Sequence, residues 1–333
     1  MTATLHDVAK AAGVSPMTVS NVVNGHPNVR PATRDRVLEA ISRLDYRVNV
    51  AARRLRQGRT GIIGLAVPEI DRPYFGHLAA RVIQIAGEHG YRVAIEQTAS
   101  SRDQELAAIT LSQNLMYDGL ILTTVALGDA DADLLRVDYP IVALGERLFD
   151  SPIAHVMMPN VAAAQAAVAH LLERGCRRVG FIGGRSDQVD MLSQRFAGYR
   201  AALRAAGIDV DEELIVDAGA LDMRAGAEAV TTLRDRNVPF DGLFCVTDTV
   251  AIGALHALHD TELRVPQDIK VIGFDDVPES EFTNPSLSTV DPDHEFIARR
   301  AVELLVTQIS GTVRPKATEE TSSFRIVPRR STE

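Results

Sequence analysis

LHDVAKAAGVSPMTVSNVVN, residues 5–24, reads as two short helices separated by one glycine. Thr4 and Asp7 make a capping-box variant at the start of the first, and Leu5, Val8, Ala9 and Ala12 recur at helical spacing behind them. Gly13 stands where a left-handed residue ends a helix. Ser15 is an N-cap residue, and Pro16 occupies the first helical position, where a missing N–H costs nothing. Val14, Val19, Val22 and Val23 turn to one side, which leaves Pro16, Met17, Thr18, Ser20 and Asn21 on the other. Two short helices around a glycine turn form a helix-turn-helix, whose second helix has the size to enter a major groove. A third helix is expected from Pro31 to about Leu44, with Val37, Leu38, Ile41 and Leu44 closing a three-helix core.

Charge separates this head from the rest of the 333 residues. Residues 1–60 hold ten Lys/Arg and four Asp/Glu, a surplus of +6, while the whole chain carries -9. A small basic head on an acidic body points to a polyanion partner for the head alone. A solvated charged helix face is the competing explanation of the surplus. Helices with exposed Pro16, Met17 and Asn21 and the hydroxyls of Thr18 and Ser20 suit contacts to base edges and phosphates respectively.

The body from Gly61 alternates strands and helices. GIIGLAVP, YRVAIEQT, DGLILTT, PIVALGE and AHVMMP read as strands, with helices at Tyr74–His89 and Arg102–Asn114. After Asn160 the pattern restarts with an Ala-rich helix to Arg174, the strand RVGFIGG, a helix from Leu192 to Ala206, then GLFCVTD, a helix from Val250 to His259, and IKVIGFDD. Such alternation implies parallel, doubly wound sheets, and two runs of it imply two lobes with a ligand cleft at the carboxyl ends of their strands. Residues just after strands are therefore the cleft candidates: Asp71, Tyr74 and Phe75; Arg195; Thr247 and Asp248; Asp275 and Asp276. A forked guanidinium, hydroxyl-accepting carboxylates and aromatic faces suit a polyhydroxylated metabolite. An ion pair between loops explains Arg195 and Asp275 equally at this point, as packing under the first helix explains Tyr74 and Phe75.

Other signals point away from further chemistry. GFIGG, residues 180–184, lacks the full dinucleotide fingerprint. His256 and His259 lack a third ligand nearby, so neither a metal nor a cofactor is expected. Two cysteines, Cys176 and Cys245, make no disulfide framework, no secretory leader is evident, and no apolar stretch spans a membrane, so the expected location is the cytoplasm. No nucleophile, base and oxyanion loop fall in order, so no enzymatic activity is expected.

The stretch LHDVAKAAGVSPMTVSNVVNGHPNVRPATRDRVLEAISRLDYRVNVAARRLRQGRTGIIGL, residues 5–65, resembles the head and hinge of the lactose-repressor/galactose-repressor (LacI/GalR) family of bacterial transcription regulators, and the similarity continues through nearly all the chain. The resemblance implies an α/β fold with a helix-turn-helix head (1–48), a hinge helix (49–60) and a two-lobed, periplasmic-binding-protein-like doubly wound core (61–333). One lobe would take about 61–160 and 290–319, the other about 161–289 and 320–330, with crossovers near Asn160, Thr289 and Glu319. It implies a homodimeric repressor on a pseudo-palindromic, double-stranded operator, controlled by a small effector. Base-reading positions fall on Pro16, Met17, Asn21 and Asn28, and phosphate contacts on Thr4, Ser15, Thr18, Ser20 and Asn24, with Arg30 as an addition. Ala52, Arg53 and Leu55 would meet the minor groove, Leu55 as a wedge that kinks the operator. In the cleft the family pattern marks Arg195 and Asp275 as recurrent effector contacts.

The departures matter. Val48 stands where many relatives have proline, Arg30 replaces a helix-capping serine, Thr247 replaces asparagine, Leu221 an aromatic, and Pro159 an aspartate. With no tryptophan in the chain, the stacking platform for a hexose is weaker than usual. The expected effector is a sugar or sugar derivative bound by Asp71, Tyr74, Phe75, Arg195, Leu221, Thr247, Asp248 and Asp275, with a nucleobase or phosphorylated metabolite as the alternative; Gly145-Glu146-Arg147 favour a polar or phosphorylated ligand if they line the cleft, and a solvated charge pair is the commoner explanation of them. Two other classes compete. A transport-associated sugar-binding protein would need a leader and no basic head, and an α/β enzyme would need a catalytic constellation.

Overall fold

A computed structural model describes residues 3–23, 26–46, 59–145, 153–186, 188–311 and 318–333. The chain divides into two compact units, Met1–Thr60 and Gly61–Glu333.

The first unit is built from α1 (Leu5–Ala12), α2 (Pro16–Val23) and α3 (Pro31–Arg43). Thr4 and Asp7 close the capping box, and Gly13 ends α1 in the left-handed conformation, φ 63°. The Thr18 amide donates to Ser15 Oγ at 3.1 Å, which caps α2. Val8, Ala9, Ala12, Val19, Val22, Val37 and Ala40 form the core, with Ile41 and Leu44 against its edge. Leu38, expected on the buried stripe of α3, is instead 50% exposed. Val37, Ala40, Ile41 and Leu44 complete a face at three- and four-residue spacing, and the neighbour of Val37 lies about 100° round the helix from it. Arg30 precedes α3 without a side-chain capping bond.

The second unit has two parallel sheets. The first takes β1 (Ile62–Val67), β2 (Arg92–Gln97), β3 (Gly119–Thr123), β4 (Ile141–Leu144), β5 (Ala154–Met157) and β11 (Glu319–Thr321), in the order β11-β5-β4-β3-β1-β2. Two clusters of side chains fill its faces. One combines β1, β3 and β4 residues with Leu78, Val82 and Ile85 of α4 (Pro73–Glu88) and with Ile297, Ala301 and Leu305 of α10 (His294–Ser310). The other uses Ala108 and Ile109 of α5 (Arg102–Asn114) with Leu120, Leu122 and Leu127. Central strands covered on both faces read as continuous apolar runs, which is why GIIGLAV and GLILT were legible.

The second sheet has the order β7-β6-β8-β9, from β6 (Val179–Gly183), β7 (Ile215–Asp217), β8 (Gly242–Cys245) and β9 (Lys270–Ile272). It packs with α6 (Asn160–Glu173), α7 (Met191–Ala205), α8 (Met223–Asp235) and α9 (Asp248–His259) around Phe181, Tyr199 and Phe244. The Tyr199 hydroxyl donates to the Val179 carbonyl at 2.8 Å. Neither β7 nor α8 was anticipated from the sequence. β7 has three residues, and α8 buries only Gly226, Ala229, Val230 and Leu233, a stripe with only two large apolar side chains.

Three crossings join the lobes. The chain passes from β5 into α6, returns through β10 (Thr289–Asp291) into α10, and leaves again after β11 for β12 (Arg325–Val327), which pairs antiparallel with β10. Glu319–Thr321 pair with His155–Met157, so the third crossing follows Thr321. Adding an edge strand to β5 satisfies backbone groups that an earlier exit would leave to solvent.

Candidate functional sites: an outward helix face and an interlobe cleft

In the first unit, burying Val19 and Val22 fixes which side of α2 faces out. Met17 is 70% exposed, Pro16 and Asn28 are exposed, and Thr18, Ser20 and Asn21 are partly so. An apolar methionine beside a proline supplies contacts for thymine methyls, while Asn21 carries the amide that pairs with adenine edges. Three of the hydroxyls expected at phosphates, those of Thr4, Ser15 and Thr18, are already engaged within the head. Thr4 Oγ1 donates to Asp7 Oδ2 at 2.7 Å, and those bonds hold the Asp7 carboxyl below the usual carboxylate range. Ser15 Oγ lies 2.9 Å from Thr18 Oγ1. A phosphate at Thr4 must therefore compete with Asp7 for one hydrogen. Arg30 is exposed, and Arg34 donates to the His26 carbonyl at 2.9 Å. Asn24, and the hinge positions Ala52, Arg53 and Leu55, lie outside the described residues.

In the second unit a cavity of about 390 Å³ opens between the lobes. It sits where strand order reverses, beyond the carboxyl ends of β1, β3, β6 and β8, which is where open α/β sheets leave a crevice. Tyr74, Phe75, Arg195, Leu221, Thr247 and Asp275 all line it. Tyr74 meets Phe75 edge-on, ring centroids 4.9 Å apart, and lies 5.4 Å from His294. Burial pushes the His294 imidazole below its ordinary range.

Arg195 is the centre of the floor and is 2% exposed. Its Nε donates to Asn160 Oδ1 at 2.7 Å, and both terminal nitrogens approach Asp275 Oδ1 at 3.4 Å. Nη1 also reaches the Val246 carbonyl, and the guanidinium lies 3.4 Å from the centroid of the Phe274 ring. The ion-pair reading and the cleft reading of Arg195 thus coexist: it is paired, and it forms the wall.

Three expected cleft residues are elsewhere: Asp276 does not line the cavity and accepts from Arg329 Nη2 at 2.7 Å. Asp248 is fully buried, accepting from the Val277 amide at 3.0 Å, Ser280 Oγ at 2.8 Å and Thr289 Oγ1 at 2.5 Å. The turn at residues 277–280 folds over it, so it ties α9 to that turn and to β10. Burial pushes its carboxyl up to about 6, against the pull of those hydrogen bonds. Asp71 is exposed and does not line the cavity. Thr247 lines it, with Oγ1 capping α9 from the Val250 amide at 3.2 Å. Gly145 lines it as well, and Glu146 and Arg147 lie outside the described residues.

Sequence reasoning missed Glu69, Arg72, Ser100, Thr123, Thr124, Met157, Met158, Asp190 and Met191 on the wall. The strand-end rule already pointed to Thr123 and Thr124, which close DGLILTT. Glu105 had no signal: buried on α5, it accepts the amides of Val125, Ala126 and Leu127 and so holds the turn that follows β3. Arg72 pairs with Glu69 and donates to the Ala220 carbonyl of the opposite lobe at 2.9 Å. Both cysteines are buried, which pushes their thiols up, Cys176 to about 11, so neither is a nucleophile at neutral pH. Among the described residues no His/Cys/Asp/Glu group could hold a metal, and no helix is long and apolar enough to cross a membrane.

Residues 4–49 match the family model described as bacterial regulatory proteins, lacI family, and residues 168–332 match that of a periplasmic binding protein-like domain. Catabolite control protein A of Priestia megaterium is 32% identical over 92% of this chain and 92% of its own. The regulator GalS of Salmonella typhimurium is 34% identical over 95% and 92%. Among solved structures, the lac repressor dimer bound to operator and an anti-inducer aligns with a TM-score of 0.86 at 25% identity, covering 100% of this chain and 99% of that one. GalS is a transcriptional regulator of the helix-turn-helix type, and the lac repressor structure holds its operator.

Proposed function

Because this chain belongs to the LacI family and is a DNA-binding transcription regulator, we propose that it is a homodimeric repressor whose operator affinity is set by a sugar or sugar derivative in the interlobe cleft. The observation that carries the reading is the outward face of α2: Val19 and Val22 bury one side and so aim Pro16, Met17 and Asn21 away from the core of a unit with a +6 surplus. Phosphate contacts from that surplus supply affinity, and the α2 side chains supply selectivity. The protein acts in the cytoplasm, where its DNA is.

The cleft supports the effector half of the proposal. Arg195, Asp275, Thr247 and the aromatic pair Tyr74 and Phe75 surround one cavity, and a ligand that closes the lobes acts on both at once. Coupling is reciprocal: a ligand that weakens operator binding is bound more weakly by the operator-bound form.

Selection of bound duplexes from a randomised pool tests the DNA half. The expected result is a two-fold symmetric site with half-sites about one helical turn apart, and Asn21→Ala relaxing one base position by about 1–3 kcal/mol. A pool that emerges without enrichment at moderate salt, with or without cytosolic small molecules, overturns it.

A further inference from the structure

Hydrogen-bonding groups are unevenly placed along the outward face of α2. Its first turn opens with Pro16 and Met17, side chains without a donor and, in the thioether, with only a weak acceptor. The hydroxyls on either side of them are held within the protein, since Ser15 Oγ accepts the Thr18 amide at 3.1 Å and lies 2.9 Å from Thr18 Oγ1. A side chain that can bond a base edge bidentately comes with Asn21, four residues on from Met17 and so above the same side of the helix. In a helix-turn-helix the N-terminal residues of the second helix meet the base edges. Here that turn is the one least able to hydrogen-bond.

The major groove offers such a surface one feature to read. Beside donors and acceptors, each thymine shows there a C5 methyl group that cytosine, guanine and adenine lack. Met17 and Leu38 are the only exposed large apolar side chains among the described residues of the head, and Met17, on the outward face of α2, is the more exposed. Covering it against a C5 methyl takes apolar surface of both out of water. An unbranched chain with three rotatable bonds can follow that methyl where the Pro16 ring cannot. The same group stands on 5-methylcytosine, so a contact made to the methyl alone does not separate thymine from methylated cytosine.

We infer that Met17 reads a pyrimidine C5 methyl group, so that its operator position prefers thymine to cytosine and gains affinity when a cytosine there is methylated. The inference rests on the operator reading above and names the chemistry at one position of it. Four residues advance α2 by about 6 Å, so the base pair read by Asn21 lies within about two steps of the one read by Met17.

The test uses the full-length protein and the duplex that it selects from a randomised pool. Each thymine is replaced in turn, in both half-sites, by uracil, which removes the methyl and leaves the hydrogen-bonding edge unchanged. The same positions are also prepared as cytosine with and without the C5 methyl. The expected result is one thymine, beside the position that Asn21→Ala relaxes, at which uracil weakens binding about fourfold per half-site, the worth of one covered methyl. Methylating cytosine at that position should recover the same factor, and Met17→Ala should bind both members of each pair equally. Uracil tolerated at every thymine, methylated and unmethylated cytosine bound alike, or a uracil loss that survives in Met17→Ala overturns the inference and leaves the operator reading standing. A pool that yields no duplex overturns both.

Discussion

Replacing Arg195 by alanine cuts a network that the fold has sealed. The wild-type guanidinium is 2% exposed, donates to Asn160 at 2.7 Å and to the Val246 carbonyl, faces Asp275 and stacks 3.4 Å from the Phe274 centroid. Asp275 is 5% exposed, so truncation takes the guanidinium from a carboxylate that water reaches poorly. Breaking a buried pair from one side costs about 3–5 kcal/mol. Asp275→Ala removes the other half and is expected to cost a similar amount. In the double variant neither charge is left behind, so its loss should fall short of the sum of the two by about 0.5–3 kcal/mol. Urea unfolding of all four proteins at pH 7 reads the cycle directly. The effector response should disappear in Arg195→Ala while operator affinity persists. A loss of stability under about 1 kcal/mol, or strict additivity, would refute the reasoning, because it would mean that the pair is solvated and interacts weakly.

Two further outcomes follow from packing and burial. Burial pushes the Asp248 carboxyl up to about 6, above the ordinary carboxylate range, so the native state binds the extra proton. Its contribution to stability is full below about pH 4 and lost as pH rises through 6, by up to about 3 kcal/mol. The stability difference between wild type and Asp248→Asn, measured by denaturation from pH 4 to 8, should change with that sign, and a flat difference rules it out. Gly253 lies where α9 meets α8, and a Cβ there would fall 1.8 Å from the Met223 carbonyl oxygen. Gly253→Ala should therefore cost about 1–3 kcal/mol or more through backbone displacement. An unchanged melting temperature would show that the two helices separate without penalty.

Most of the head was legible because its signals are local. Thr4, Gly13, Ser15 and Pro16 act on backbone groups within four residues, and the valines of α2 need only a 3.6-residue period to choose a side. The central strands of the body, β1, β3, β4, β6 and β8, were legible for the same reason, since burial on both faces leaves an apolar run behind, whereas the three-residue β7 leaves none. Leu38 shows where periodicity stops: it belongs to an apolar cluster on paper, but the head is small and its core takes only one narrow face of α3.

The cleft was legible at strand ends and no further. Thr247 and Asp275 follow strands and line the cavity, and Arg195 reaches it from within α7, whereas Asp248 follows the same strand as Thr247 and is sealed under residues 277–280. One peptide unit separates a wall residue from a structural one, and only the long-range packing of that turn decides between them. The pairing of charges was equally beyond the sequence. Residue types give the number of arginines near the strand ends, but whether each has a carboxylate already in hand depends on pairs such as Arg195 and Asp275, 80 positions apart. The amino-acid sequence by itself determined the helix-turn-helix and the alternating α/β body, because capping, turns and burial patterns are short-range. The tertiary structure alone decided which polar groups face the cavity and which are spent on the protein, because the partners of each come from distant segments of the chain.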